Sequence, residues 1–197
     1  MLLSPCACFG QSLTLGVVGG ARLTDDLSGN ATSESKRYAI GPEVELGLPF
    51  GLAVEVDALY RREGYSSFSG FIGQEWQRER ANSWEFPILL KYRLHLPAVK
   101  PFVEAGYVPR AIDGAIDTTF GGCGEPGECG VQPIHSGGDW SRSHGLVFGG
   151  GVQIGIGRLR ISPEVRYTRW SNTVGDLPIQ SAQNQVDALV GIGWKVH

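Results

Sequence analysis

"ISPEVRYTRW", residues 161–170, alternates without a break. Ile161, Pro163, Val165 and Tyr167 are apolar or aromatic, and Ser162, Glu164, Arg166 and Thr168 between them are polar or charged. A period of two belongs to a β-strand with two unlike faces. In a soluble half-buried strand the apolar face enters a core. In a membrane barrel it meets lipid, and the charged face turns into the lumen. The rest of the chain decides between the two.

Seven further segments repeat the pattern. They cover 12–22, 38–48, 52–61, 84–95, 100–111, 145–155 and 185–196. Each runs for about 10 to 12 residues, the length that a tilted bilayer-crossing strand needs and longer than the five or six usual in globular proteins. Three connections are tight turns: Leu48-Pro49-Phe50-Gly51, Leu96-Pro97-Ala98-Val99 and Gly155-Ile156-Gly157. The other four, 23–37, 62–83, 112–144 and 171–184, are long and polar. Long and short alternate throughout. In an up-and-down meander this puts all long loops at one end, and the tight turns with both termini at the other. That is the layout of an outer-membrane barrel, with short periplasmic turns and long extracellular loops.

Composition agrees. Charged residues are 19% of the 197-residue chain, with 29 Gly, one Met and a net charge of −3. This does not suit a helical bundle and gives no strong field for nucleic acid. No run approaches the 18 or so apolar residues of a transmembrane helix, which leaves barrels untouched. "MLLSPCACFG", residues 1–10, fits a partial signal peptide, with the barrel domain spanning 11–197. An ordinary apolar tail is the plainer alternative. Aromatic residues form two bands on the apolar face. Tyr38, Tyr60, Trp84 and Tyr167 lie toward the long-loop end, and Tyr92 and Trp194 toward the short-turn end. The opposite face carries acids and bases in near balance. A lumen ion-pair network of Glu55, Asp57, Lys91, Arg93, Glu104, Glu164, Arg166 and Asp187 is therefore expected. Pro42, Pro87, Pro109 and Pro163 fall inside strands and lead us to expect bulges.

"SWEFPILLKYRL" (83–94), "KPFVEAGYVPR" (100–110), "ISPEVRYTRW" (161–170) and "VDALVGIGWKV" (186–196) together resemble the small outer-membrane β-barrel family of OmpA/OmpX-like and PorT-like eight-stranded barrels. The resemblance implies an all-β, eight-stranded antiparallel transmembrane barrel in the bacterial outer membrane. It also implies a lipid bilayer as solvent and insertion by the barrel assembly machinery. Gly191, Trp194 and Val196 resemble the family's closing assembly signal, although this chain ends in His197 where many members end in Phe.

Sites of other chemistry are few. Cys123 and Cys129 in "CGEPGEC" suit a disulfide in an oxidising envelope, worth about 2 kcal/mol at most for so short a loop. With His135 they lack a fourth ligand for a metal. "WSRSH" sets Ser141, Ser143 and His144 together but carries no nucleophile-elbow signature, and "GLVFGGGVQIG" (145–155) precedes no helix and so is no phosphate loop. The expectation is a non-enzymatic barrel without cofactor or metal. Its lumen is closed or very narrow, and its long loops contact an extracellular ligand or surface. A narrow pore, an outer-membrane lipid-modifying enzyme and a soluble lipocalin-like carrier are the alternatives.

Overall fold

A computed structural model describes residues 12–24, 27–28, 32–33, 35–69, 74–94, 96, 99–123, 129–137, 141–171 and 180–196. Of these, 27–28, 32–33, 65–69, 74–79, 114–123, 129–137, 141 and 180–181 are described by backbone alone. The signal-peptide expectation at 1–10 lies outside the described residues.

The alternating segments become strands. β1 is Ser12–Arg22 and β2 is Tyr38–Gly47. β3 runs through Leu52–Asp57 and Leu59–Ser69, and β4 through Gln74–Glu85 and Ile88–Arg93. β5 is Val99–Cys123, β6 Ser141–Ile156, β7 Leu159–Trp170 and β8 Asn184–Lys195. Every neighbouring pair is antiparallel, and β1 bonds both β2 and β8, so the sheet closes on itself. The result is an eight-stranded antiparallel up-and-down barrel, the fold that the sequence pattern and the resemblance implied.

Two long connections differ from expectation. Residues 62–83 and 112–144 do not form irregular loops over their described lengths. β3 and β4 pair from Leu59↔Glu85 out to Ser69↔Glu75, and β5 continues to Cys123 with a return strand Cys129–Gly137 against it. The barrel wall therefore extends as β-hairpins past the apolar band. Hydrophobic alternation could not reveal this, because it measures a difference between faces. Where both faces carry polar side chains, as at exposed Arg62 and buried Glu63, the ladder persists and the signal is lost.

The prolines bring a second correction, since no bulge occurs at any of the four. Glu43↔Asp57 and Ile40↔Tyr60 keep one register across Pro42, as do Ile88↔Tyr107 and Glu85↔Arg110 across Pro87 and Pro109. Pro163 simply sits opposite Val190. The proline carbonyls still accept: Ala58 N–H donates to Pro42 O, Asp57 N–H to Pro87 O and Phe86 N–H to Pro109 O. Each proline withdraws one donor and leaves the register intact.

The turn after β2 is sharp. Phe50 has φ 62° and Gly51 φ 81°, and Leu52 N–H donates to Pro49 O. Positive φ at both central residues is the mirror-image turn whose twist suits an antiparallel hairpin.

Candidate functional site

Polarity is inverted relative to a soluble protein. Val17, Ile40, Leu90, Val103, Leu146, Val165 and Ile192 point outward and are each about half exposed, whereas Glu55, Asp57, Arg110 and Arg166 are at most 2% exposed. Burying an apolar side chain is favourable by about 1.5–3 kcal/mol. Water on the outside would forfeit that along every strand, and hydrocarbon would not. The outer face is therefore built for lipid, and the candidate site is the interior.

Aromatic rings mark the boundaries of the apolar band. Tyr38, Trp84, Tyr92, Tyr167 and Trp194 are exposed on the outside, and Tyr60 is half-buried because its ring packs 5.2 Å from that of Trp84. Toward the long connections the Tyr60 hydroxyl donates to Asn82 Oδ1 and that of Tyr167 to Asn184 Oδ1, both at 2.7 Å. Each ring spans from the apolar band to its polar edge.

Inside, the ion pairs fall into two groups. The first lies at mid-barrel and toward the tight turns. Arg166 reaches Glu55 at 2.8 Å, Asp57 at 2.6 Å, Glu104 at 2.9 Å and Glu164 at 2.6 Å. Lys91 Nζ lies 2.7 Å from Glu55, 3.1 Å from Glu104 and 3.2 Å from Glu164. Arg160 contacts Glu43 and Glu45, and Arg93 contacts Glu45. These residues come from β2, β3, β4, β5 and β7, so the group spans the interior. The second group lies toward the long connections. Arg61 grips Asp187 with two hydrogen bonds and Glu85 with a third. Arg22 approaches Glu63, Glu85 and Asp187. Arg110 stacks 4.0 Å from the Trp170 ring centre and donates to Ser143 Oγ, and Trp170 Nε1 donates to Gln185.

Apolar side chains separate the two groups. Val18, Ala39, Leu59 and Leu189 cluster on one side, and Leu89, Val108, Val147 and Trp170 on the other. Strand parity puts them there. Leu59 sits between Asp57 and Arg61, Leu89 between Glu85 and Lys91, and Val108 between Glu104 and Arg110.

Inward glycines make room for the first group. A Cβ on Gly191 would meet Glu43 Oε2 at 2.5 Å, and one on Gly149 would meet Glu104 Oε1 at 2.5 Å. Part of the glycine excess is thus space for carboxylates.

The structure brings Glu55, Asp57, Lys91, Glu104, Glu164 and Arg166 together, with Arg93 at the edge through Glu45. Asp187 belongs to the other group. It is the direct cross-strand partner of Arg166, yet Arg166 turns toward the four carboxylates and Asp187 bonds Arg61. Sequence reasoning did not set out the second group. Trp170 was read as the end of a strand and Glu63 as part of a loop, and both are buried in the interior.

The remaining candidates resolve differently. Ser143 faces inward and bonds Arg110, while His144 faces outward with its ring 5.9 Å from that of Tyr107. Adjacent residues on one strand point to opposite faces, so this Ser and His cannot converge on a substrate. The side chains of Cys123, Cys129, Ser141 and His135 lie outside the described set. Cys123 and Cys129 are nonetheless direct Cα partners across the hairpin. The carboxylate sets Glu43–Glu55–Asp57 and Glu55–Glu104–Glu164 are spaced closely enough for a cation, but Lys91, Arg160 and Arg166 already supply the positive charge among them.

No protein-family model matches the chain, and no curated protein sequence does. Solved structures of similar shape include the N-terminal β-barrel domain of Pseudomonas aeruginosa OprF, at 11% identity and TM-score 0.48 over 93% of this chain and 96% of that one. Neisserial surface protein A shares 14% identity at TM-score 0.43, over 94% of this chain and 99% of that one. Ail, the attachment invasion locus protein of Yersinia pestis, shares 10% at TM-score 0.41, over 94% and 97%. The fold assignment rests on the chain's own closed ladder: it is an eight-stranded antiparallel barrel of the outer-membrane type.

Proposed function

We propose that the chain is a non-enzymatic barrel of the bacterial outer membrane, inserted by the barrel assembly machinery, with a lumen closed to solutes. Its work is done at the end carrying the long connections, where the projecting hairpins contact an extracellular ligand or surface. The observation that carries the closed lumen is the group around Arg166 and Lys91. Two cations and the four carboxylates they bond, drawn together from four strands, leave little space in a barrel whose interior side chains can fill. Charges so confined must pair, since an unpaired ion there loses several kcal/mol of solvation. The apolar layer beside them is a second obstruction. Purified protein in planar bilayers is expected to show no steady conductance. Large, stable channels would overturn the closed lumen and favour a pore.

A further inference from the structure

The hairpin that continues β5 beyond the apolar band ends on two cysteines. Cys123 is the last residue of β5 and Cys129 the first of the return strand Cys129–Gly137, and the ladder makes them direct Cα partners. Direct partners in an antiparallel ladder share a face and lie about 4.5–5.5 Å apart at Cα. A disulfide needs about 4.4–6.8 Å, so the backbone is already placed for one.

The other cysteines of the chain are out of reach. Cys6 and Cys8 precede Ser12, which pairs with Gly47 at the tight-turn end. Six residues of chain extend about 20 Å. From the tight-turn end to Cys123, β5 runs for 25 residues, about 80 Å of strand, and a tilt of about 40° still leaves about 60 Å of rise.

A covalent link here falls where the ladder is least able to hold its own register. An apolar face specifies register, and glycine-rich strands slip. Next to the cysteines Gly122 pairs with Gly130 and Gly121 with Val131. Pro133, opposite Thr119, withdraws a donor. Between the cysteines, "GEPGE" (124–128) carries no aliphatic or aromatic side chain. A slip of one residue would exchange the two faces that this hairpin presents.

We propose that Cys123 and Cys129 form a cross-strand disulfide that fixes the register of the projecting hairpin. The inference rests on the envelope location proposed above, where a disulfide-carrying thiol oxidase serves as the oxidant. One cysteine thiolate attacks the oxidant's disulfide and forms a mixed disulfide. The other attacks the cysteine sulfur within it and releases the oxidant as a dithiol. Two electrons and two protons pass from the cysteine pair to the oxidant.

The test uses the full chain isolated from the outer membranes of a bacterium whose periplasmic thiol oxidase is intact. Faster gel migration unheated than boiled reports the inserted barrel separately from the linkage. The chain is then denatured, alkylated with N-ethylmaleimide without reduction, cleaved after Glu125 and Glu128, and weighed by mass spectrometry. Cys123 and Cys129 are expected unalkylated, in two peptides joined to each other, and alkylated only after reduction. Hydrogen exchange of backbone amides within 116–121 and 131–136 should quicken about ten- to thirtyfold on reduction, the most that so short a closed loop gives. Cys123→Ser with Cys129→Ser should reproduce that rate and keep the heat-dependent migration. Alkylation of both cysteines without reduction, in a chain that migrates as an inserted barrel, overturns the disulfide alone. So does linkage of either cysteine to Cys6, Cys8 or a second chain. A linked pair whose reduction leaves exchange unchanged overturns the register role. A native chain without heat-dependent migration overturns the envelope reading, and the inference falls with it.

Discussion

Arg166 and Val165 are neighbours in the chain and meet opposite environments. Arg166 is held by four carboxylates. Arg166→Met would leave those carboxylates with Lys91 as their main counter-charge, and should destabilise the barrel by about 3–5 kcal/mol in unfolding titrations from lipid vesicles. Val165→Arg places a charge against hydrocarbon near mid-strand and should cost about 2–4 kcal/mol in the same titration, whereas Asn184→Arg, at the headgroup level, should cost about 1 or less. Thr168→Arg is not the mild change its place near the strand end suggests, because Thr168 is 7% exposed and packed between Arg166 and Trp170. Phe50 carries a different strain. A non-glycine residue at positive φ is costly, and Asn tolerates that conformation better. Phe50→Asn should therefore leave unfolding unchanged or raise stability by about 1 kcal/mol, while Gly51→Val should lower it.

The strands do two jobs along their length. Within the apolar band each face has its own solvent. Beyond Tyr60 and Trp84 the β3–β4 ladder continues to Ser69↔Glu75, and β5 accompanies it as far as Gly121. If these extensions are surface elaborations, removing residues 65–79 together with 115–136 and joining the ends by short Gly-Ser turns should leave the barrel assembled. Faster unheated migration would be retained, and midpoint unfolding in vesicles should shift by less than about 2 kcal/mol. Loss of heat-modifiability would mean that the hairpins help to close the wall. The constant register through Pro42, Pro87, Pro109 and Pro163 fits this separation, since none of the four redirects its strand.

At the scale of the molecule the organising fact is an inversion. A ring of lipid-facing side chains surrounds two ionic groups with an apolar layer between them. Leu59 and Val108 belong to that layer and touch neither ionic group through hydrogen bonds. Leu59→Ser with Val108→Ser should therefore loosen the layer and lower stability by about 2–5 kcal/mol, while conductance stays near zero as long as the Arg166 group holds. Replacing Glu164 and Arg166 together by Ala should raise conductance. If the Ser pair conducts and the Ala pair does not, the apolar layer is the main barrier.

The fold was legible in the chain because closure leaves each membrane strand with two unlike solvents, and period two records that difference directly. In residues 161–170 it identified the lipid face and the interior face residue by residue. The alternation of long and short connections then fixed the topology. Which charges pair was not legible. Arg166 and Asp187 are opposed in the ladder, and only the curvature of the closed barrel decides that Arg166 reaches Glu55 and Asp57 across the interior while Asp187 meets Arg61. The extensions at 62–83 and 112–144 were hidden for a related reason. Where polar residues occupy both faces the sequence carries no contrast, and the strand is specified by its neighbours' hydrogen bonds.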